Sequence, residues 1–428
     1  MNEKLRTGNL QEAVAAINEA MDVQTADDLP ERLGGDAGLM LAERGMLKLA
    51  ARDYIGASKD FRVADSSLEV LDLTTDVAGN IGRYLFSDDS GVYVAPAIEK
   101  VLLNTMNMLS FLCVGDLESS RVEARRAKII QSFLDQDELE CCSLNGLTSY
   151  LSGIVYEWSN RPDDALRFYG EALRLSVFPS LERPVQRLSK LSGYRTPEIN
   201  EILSRNPLYG ADNIEEAEIL VVVMGGRVPH REAERLPIGL ALTYAATSGR
   251  HRMSDSQREQ ANLLAARGAL TWVNFPSLQP TSSPYPDPVV LVDGSPVSQE
   301  LAVDVSSKIT NSFERIRPVA IIAAITRAVA RIVAGIGTDQ ATQKGSGNKG
   351  LAALLGLAIQ GALTAADTPD TRSWVTLPEK IWVSRTRLPA GRVELTLRAS
   401  GAPHAVSETI TLNLTNGEFH TVVYYPIR

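Results

Sequence analysis

Leu39–Asp65, LMLAERGMLKLAARDYIGASKDFRVAD, and Leu147–Leu175, LTSYLSGIVYEWSNRPDDALRFYGEALRL, decide the fold of this chain. In the first stretch Gly45 is followed by Ala57, Phe61 and Ala64. In the second, Gly153 is followed by Ala165, Tyr169 and Ala172 at the same offsets. Small residues where two antiparallel helices cross let their backbones approach closely, and an aromatic on the second helix fills the space beside them. Asn160-Arg161-Pro162-Asp163-Asp164 is a helix start, with proline and acids in the first turn.

Two fainter copies keep the same phase. Gly8, Ala13, Ile17 and Ala20, with Leu10 and Val14, read as the tail of one unit. Phe111, Gly115, Ala124 and Ala127 read as another, with Ser120 where an alanine is expected. Together they predict about four helix pairs at irregular spacing, the sign of a repeat architecture. The stretch Thr74–Ala97, rich in Gly and Asp, reads as a loop or small insertion. A tetratricopeptide-like (TPR-like) helical array over residues 1–195 follows. Such an array offers a side-chain-lined groove that binds peptides or helices.

The pattern changes in residues 196–428, where the periodicity after Pro197 turns from helical to extended. Glu218–Met224, ending in Gly225-Gly226, reads as a buried strand. Pro276–Pro288 reads as a surface loop, and Val289–Val292, closed by Asp293-Gly294, as a short strand. From Lys380 onward Trp382–Arg387, Arg392–Arg398, Thr409–Leu414 and Phe419–Tyr425 are strand-length runs. Asn416-Gly417 between the last two signals a type I′ hairpin. These strands predict a small antiparallel sheet or sandwich. Two apolar segments, Pro318–Ile336 and Leu351–Ala366, interrupt it and read as a helical hairpin over 318–366, with Arg327 and Arg331 on its wet face. The expected class is α+β: an N-terminal TPR-like array followed by an antiparallel β domain with an inserted apolar hairpin.

With 428 residues the chain is long enough for two or three domains, each with its own core. A composition of 44% hydrophobic and 22% charged residues is that of an ordinary globular protein. A formal net charge of -9, with scattered Lys and Arg, provides no basic field for nucleic acid. Cys113, Cys141 and Cys142 form no CxxC pair, and buried free thiols are expected, with a bridge from Cys113 to one of the others as the alternative. Met1–Leu5 carries no basic region followed by an apolar stretch, so no signal peptide is expected in this sequence.

No catalytic constellation emerges. Gly345-Ser346-Gly347-Asn348-Lys349-Gly350 matches GxGxxG and SxxK, but a helical neighbour upstream is the wrong context for a dinucleotide site. His230, His251, His404 and His420 belong to no paired-ligand motif, and His230 with Glu232 and Glu234 reads as a solvated turn. The expectation is a protein that is not an enzyme, with no cofactor and no metal.

Val122-Glu123-Ala124-Arg125-Arg126 follows a repeat-like helix. Arg317-Pro318 opens an apolar helix running through Ile325-Thr326-Arg327. Ala366-Asp367 leads into Asp370-Thr371-Arg372-Ser373-Trp374 and Leu377-Pro378, and Leu388-Pro389-Ala390-Gly391 precedes a strand. This combination resembles a family of TPR-containing bacterial envelope lipoproteins of unassigned activity, over residues 35 to 400. The resemblance implies a periplasmic or outer-membrane scaffold that binds other proteins, with self-association as a further option and a lipid anchor this sequence does not contain; the cytoplasm is the alternative location. Gly45, Ala57, Phe61, Ala64, Gly153, Ala165, Tyr169, Ala172, Arg317, Arg327, Arg372 and Trp374 are the structural and interaction candidates. Arg372 and Trp374 are expected to contact each other and fix the hairpin against the sheet. A membrane-associating or ring-forming role for the 318–366 hairpin is the alternative function.

Overall fold

The computed structural model describes residues 9–70, 92–134, 145–205, 216–247, 253–281, 287–342, 369–400 and 406–427. Its first half is helical, α1 (Leu10–Ala20), α2 (Ala37–Ala50), α3 (Tyr54–Ser67), α4 (Ala97–Cys113), α5 (Leu117–Leu134), α6 (Gly146–Trp158), α7 (Pro162–Leu175), α8 (Glu182–Leu188) and α9 (Pro197–Arg205), with a short parallel strand pair, β1 (Glu69–Val70) and β2 (Val94–Ala95), between α3 and α4. α2 packs on α3, α4 on α5 and α6 on α7. One turn recurs at four helix ends. After α1, α2, α4 and α6 the chain passes through a left-handed residue, Asp22, Arg52, Gly115 and Asn160. At each end the following N–H reaches back: Val23 to the Asn18 carbonyl (3.0 Å), Asp53 to Lys48 (2.9 Å), Asp116 to Phe111 (3.0 Å) and Arg161 to Tyr156 (2.9 Å). This closure satisfies carbonyls that the helix end leaves open. Asp53 and Asp116 then cap the next helix through the N–H of Gly56 and Ser119.

The expected shift to extended structure after Pro197 comes later, because α9 is helical and packs on α7 and α8. Its buried Ile199 and Ile202, on one face of a short helix, anchor it there.

Among the described residues beyond α9 lie two four-stranded sheets, the first of them mixed and not purely antiparallel as expected. The first contains β3 (Glu216–Gly225), β8 (Glu300–Asp304), β9 (Lys380–Pro389) and β12 (Phe419–Tyr424) in the order β12-β3-β9-β8. The second contains β6 (Asp287–Val292), β7 (Ser295–Val297), β10 (Gly391–Ser400) and β11 (Val406–Leu414) in the order β11-β10-β6-β7. Ala217, Ile219, Val221 and Val223 of β3 meet Val290, Leu395 and Leu397 of the second sheet. The alternate residues Leu220, Val222 and Met224 join the core of the helical array. Burial on both faces explains why β3 is a continuous apolar run.

Three further expectations are corrected here. Asn416-Gly417 is not a hairpin: β11 pairs antiparallel with β10, and β12 pairs parallel with β3, so this turn carries the chain between sheets. Only Gly417 of the pair has positive φ, whereas a type I′ turn needs it at both positions. Asp293 and Gly294 both have it, and they close the β6–β7 hairpin. His230, Glu232 and Glu234 lie in a strand, β4 (His230–Pro237), paired antiparallel with β5 (Trp272–Gln279), which takes in Pro276–Gln279 at the start of the stretch expected as loop.

The third correction concerns the apolar hairpin. α12 runs Val305–Thr342, so Pro318 sits inside the helix rather than opening it. A mid-helix proline forfeits one hydrogen bond. Burial of Ile316, Val319, Ala320, Ile321 and Ile325 against α10 (Ile238–Thr247), α11 (Asp255–Ala266) and β5 offsets that loss. Leu351–Ala366, the expected second arm, lies outside the described residues, as does Gly345–Gly350. Among the described residues no helix is long and apolar enough to cross a membrane.

Candidate functional site

In the α2–α3 pair Ala57, Phe61 and Ala64 are fully buried, and a methyl group on Gly45 would come within 2.5 Å of the Phe61 ring. In the α6–α7 pair Ala165, Tyr169 and Ala172 are likewise buried, and a methyl group on Gly153 would overlap the Tyr169 ring. The four-position match in the sequence therefore marks two helix contacts of the same kind. Buried ionic groups stitch the first pair. Both carboxylate oxygens of Asp60 accept from Arg44, from Nε and from Nη2 at 2.8 Å each, and Lys48 Nζ lies 2.9 Å from Asp60. Arg44 also donates to Asn18 of α1 and to the Asp28 carbonyl.

α2, α4 and α6, the first helices of their pairs, turn toward the first sheet. At the α6 end, Arg385 of β9 donates to Tyr169 Oη (3.0 Å) and Glu157 (2.9 Å) and pairs with Glu218 of β3. Tyr169 itself donates to Glu157, and Arg187 pairs with Glu157 as well. Array and sheet are thus joined by a dry ionic seam, in which a charge left alone would be costly.

At the α2 and α4 end the array holds a piece of its own chain without regular secondary structure, the strap Asp370–Thr376, which turns at Val375-Thr376. Glu43 Oε1 accepts from the Val375 N–H at 2.8 Å, and Oε2 from the Thr376 N–H at 3.0 Å. Trp374 is fully buried with its ring 6.4 Å from that of Phe61, and its indole Nε1 donates to Thr376 Oγ1 at 3.0 Å. Glu99 of α4 accepts from Tyr93 Oη at 2.8 Å and from the Trp374 backbone. At the strap's other end Arg372 binds Asp370 and pairs with Asp36 before α2, and its guanidinium lies 5.7 Å from the centre of the Tyr93 ring.

Arg372 and Trp374 each pin the strap to the helical array; the second arm of the hairpin they were expected to fix lies outside the described residues. Trp374 requires an apolar pocket, which Phe61 helps form, while Arg372 requires carboxylates, which Asp36 and Asp370 supply. Arg317 packs its guanidinium 5.5 Å from the Tyr244 ring and pairs with Glu314 at 3.1 Å. Arg327 is half-buried along α12. Both lie on α12, whose Phe313 and Ile316 line a pocket together with Ser373 and Trp374 of the strap.

Burial dominates the electrostatics here. It pushes the Glu43 carboxyl up to about 7, against the hydrogen bonds from Thr376 and Val375 and the charge of Arg227. It pushes Glu99 up to about 8 and the Tyr93 hydroxyl well above its ordinary value, and pulls Arg231 down to about 10. Burial likewise raises the Cys113 thiol, which is free and protonated at neutral pH. Cys141 and Cys142 lie outside the described residues.

Beside the strap a cleft of about 550 Å³ opens between α1, α2 and the start of β4. Ile17, Leu39, Met40 and Val375 provide its apolar lining, and Asp36, His230, Arg231 and Arg372 the polar groups. Size and lining suit a bound segment with one or two charged anchors. No cluster of three metal-ligating side chains occurs among the described residues.

Glu43, Glu99, Tyr93 and Asp370 were missed in the sequence. Glu43 carried a signal: it interrupts the apolar run Leu39–Leu49 on the side of Leu39, Ala42 and Met46, where an acid needs a buried partner. Comparison of the chain with protein-family models, curated proteins and solved structures finds no match.

Proposed function

We propose that the protein is a non-catalytic interaction scaffold whose helix pairs, TPR-like in spacing and turn, grip segments of polypeptide that lack regular secondary structure. The observation that carries this reading is the pair of hydrogen bonds from consecutive backbone N–H groups, those of Val375 and Thr376 in a turn, to the single carboxyl group of Glu43. Such a contact reads backbone, while a pocket such as the one around Trp374 reads one side chain. The part of α2 and α4 beneath the strap is already filled by it, so the neighbouring cleft is assigned to a segment of a partner protein. Its apolar lining takes the partner's side chains, and Arg231, Arg372 and Asp36 fix its polar groups. The resemblance to TPR-containing envelope lipoproteins supports assigning this activity to the periplasmic side of a bacterial outer membrane.

The test is photo-crosslinking in cells from single sites in the full chain. A photoreactive residue at Ala20 or Thr371, both at the cleft, is expected to give discrete protein adducts that Met40→Asp abolishes. The same residue at Ile129 on α5 is expected to give none. Equal adducts from all three positions, or none from the cleft, would sink the reading.

A further inference from the structure

The strap rests on two carboxyl groups that share one burial site. Glu43 and Glu99 sit on neighbouring first helices of the array, both are almost completely buried, and both accept from backbone N–H groups of the three residues Trp374–Thr376. The groups facing them are few. Glu43 meets Arg227 and Thr376, and Glu99 meets Tyr93 and feels the charge of Glu43. The Tyr425 hydroxyl donates to the carbonyls of Thr376 and Gly226. Asp370, Arg372, Asp36 and Arg231 lie toward the strap's other end, where opposite charges are already paired. Two acids under one strap, with one arginine acting on Glu43, cannot both ionise without a penalty that exposure to water would relieve.

We propose that residues 370–376 are a pH-sensitive latch, held down on α2 and α4 while Glu43 and Glu99 are neutral and released when both ionise, so that the surface of α2 and α4 beneath it opens to a second segment of polypeptide. The proposal rests on the peptide-gripping reading and supplies its regulation: at lower pH the chain occupies its own site, and at higher pH that site becomes free. The sign follows from linkage. Both carboxyls are raised in the closed state, by burial first of all. The closed state therefore holds its protons more tightly than the open one, and raising the pH favours opening. Each pH unit between the open-state and closed-state values of one carboxyl weakens closure about tenfold.

Hydrogen exchange on the full-length protein tests this directly. The readout is exchange of the Trp374, Val375 and Thr376 amides divided by that of Val221–Val223 in β3, each corrected for its intrinsic rate. Between roughly pH 6 and pH 9 this ratio is expected to rise at least about tenfold. In Glu43→Gln/Glu99→Gln it is expected to stay within about twofold across that range, since the amides do not titrate. A flat wild-type ratio, or the same rise in the double variant, overturns the latch. Should the double variant fail to fold, the wild-type series and Glu99→Gln alone decide, the single variant being expected to reduce the rise. A rise with pH in a protein whose cleft crosslinks nothing would remove the proposed function and leave the latch standing. Adducts with a flat exchange profile would do the reverse.

Discussion

Gly153→Ala is the change that most sharply separates a helix contact set by close approach from one that merely contains small residues. The added methyl group would overlap the Tyr169 ring. That ring is fully buried, and its hydroxyl is held by Glu157 and by Arg385 at 3.0 Å, so it cannot swing aside without breaking the seam to the sheet. Overpacking costs about 1–3 kcal/mol, and a lost hydrogen bond to a charged group about 1.5–3 kcal/mol more. Alanine returns about 1 kcal/mol of helix propensity, leaving a net loss of about 1.5–5 kcal/mol. Urea unfolding followed by far-UV circular dichroism measures it as a lowered midpoint at unchanged slope. Gly239→Ala is the control, because a Cβ there meets nothing within 4 Å and α10 should gain slightly. A Gly153→Ala protein at or above the wild-type midpoint would refute the close-contact reasoning.

Other outcomes follow from the same geometry. Asp60→Asn leaves Arg44 and Lys48 buried against a neutral partner and should cost about 3–5 kcal/mol by thermal or urea melts. Trp374→Ala empties a fully buried pocket and should cost about 3–5 kcal/mol, read in the same way, while far-UV spectra keep their helical signature. Asn160→Gly relieves a left-handed residue at the α6–α7 turn and should raise the midpoint by the equivalent of a few tenths to about 1 kcal/mol. Overall stability should also depend on pH with a definite sign. Glu43 and Glu99 are raised in the fold, so their contribution is fully present below the ordinary carboxyl range and is lost as pH climbs through about 7 and about 8. Urea midpoints should therefore fall across that window, and fall less in Glu43→Gln.

The helical half was legible because its contacts are local. A glycine, two alanines and an aromatic recur with the phase of a helix pair, and the repeated Arg52, Gly115 and Asn160 turns sit where the sequence switches helix. The sheet was legible only strand by strand. Asn416-Gly417 has hairpin chemistry, yet the partners of β11 and β12 are chosen by which apolar face is covered, and that depends on strands far away in sequence. α12 shows the same limit: Pro318 looks like a helix start until burial on α10 and α11 outweighs the missing hydrogen bond. The candidate site was half-visible. Trp374 and Arg372 stood out by composition, but Glu43, Glu99 and Asp36 become their partners only through a contact that spans most of the chain.

That long-range contact is the central claim, and binding in trans tests it most directly. In a full-length variant with residues 371–376 replaced by alternating glycine and serine, a labelled peptide of residues 369–380 should bind saturably with one-to-one stoichiometry by fluorescence anisotropy. Adding Glu43→Gln to that variant removes one of the two acceptor oxygens and leaves one strap N–H facing an amide NH2, which should weaken binding about tenfold. A folded variant that ignores the peptide, or that binds it equally well with and without Glu43, would contradict the account.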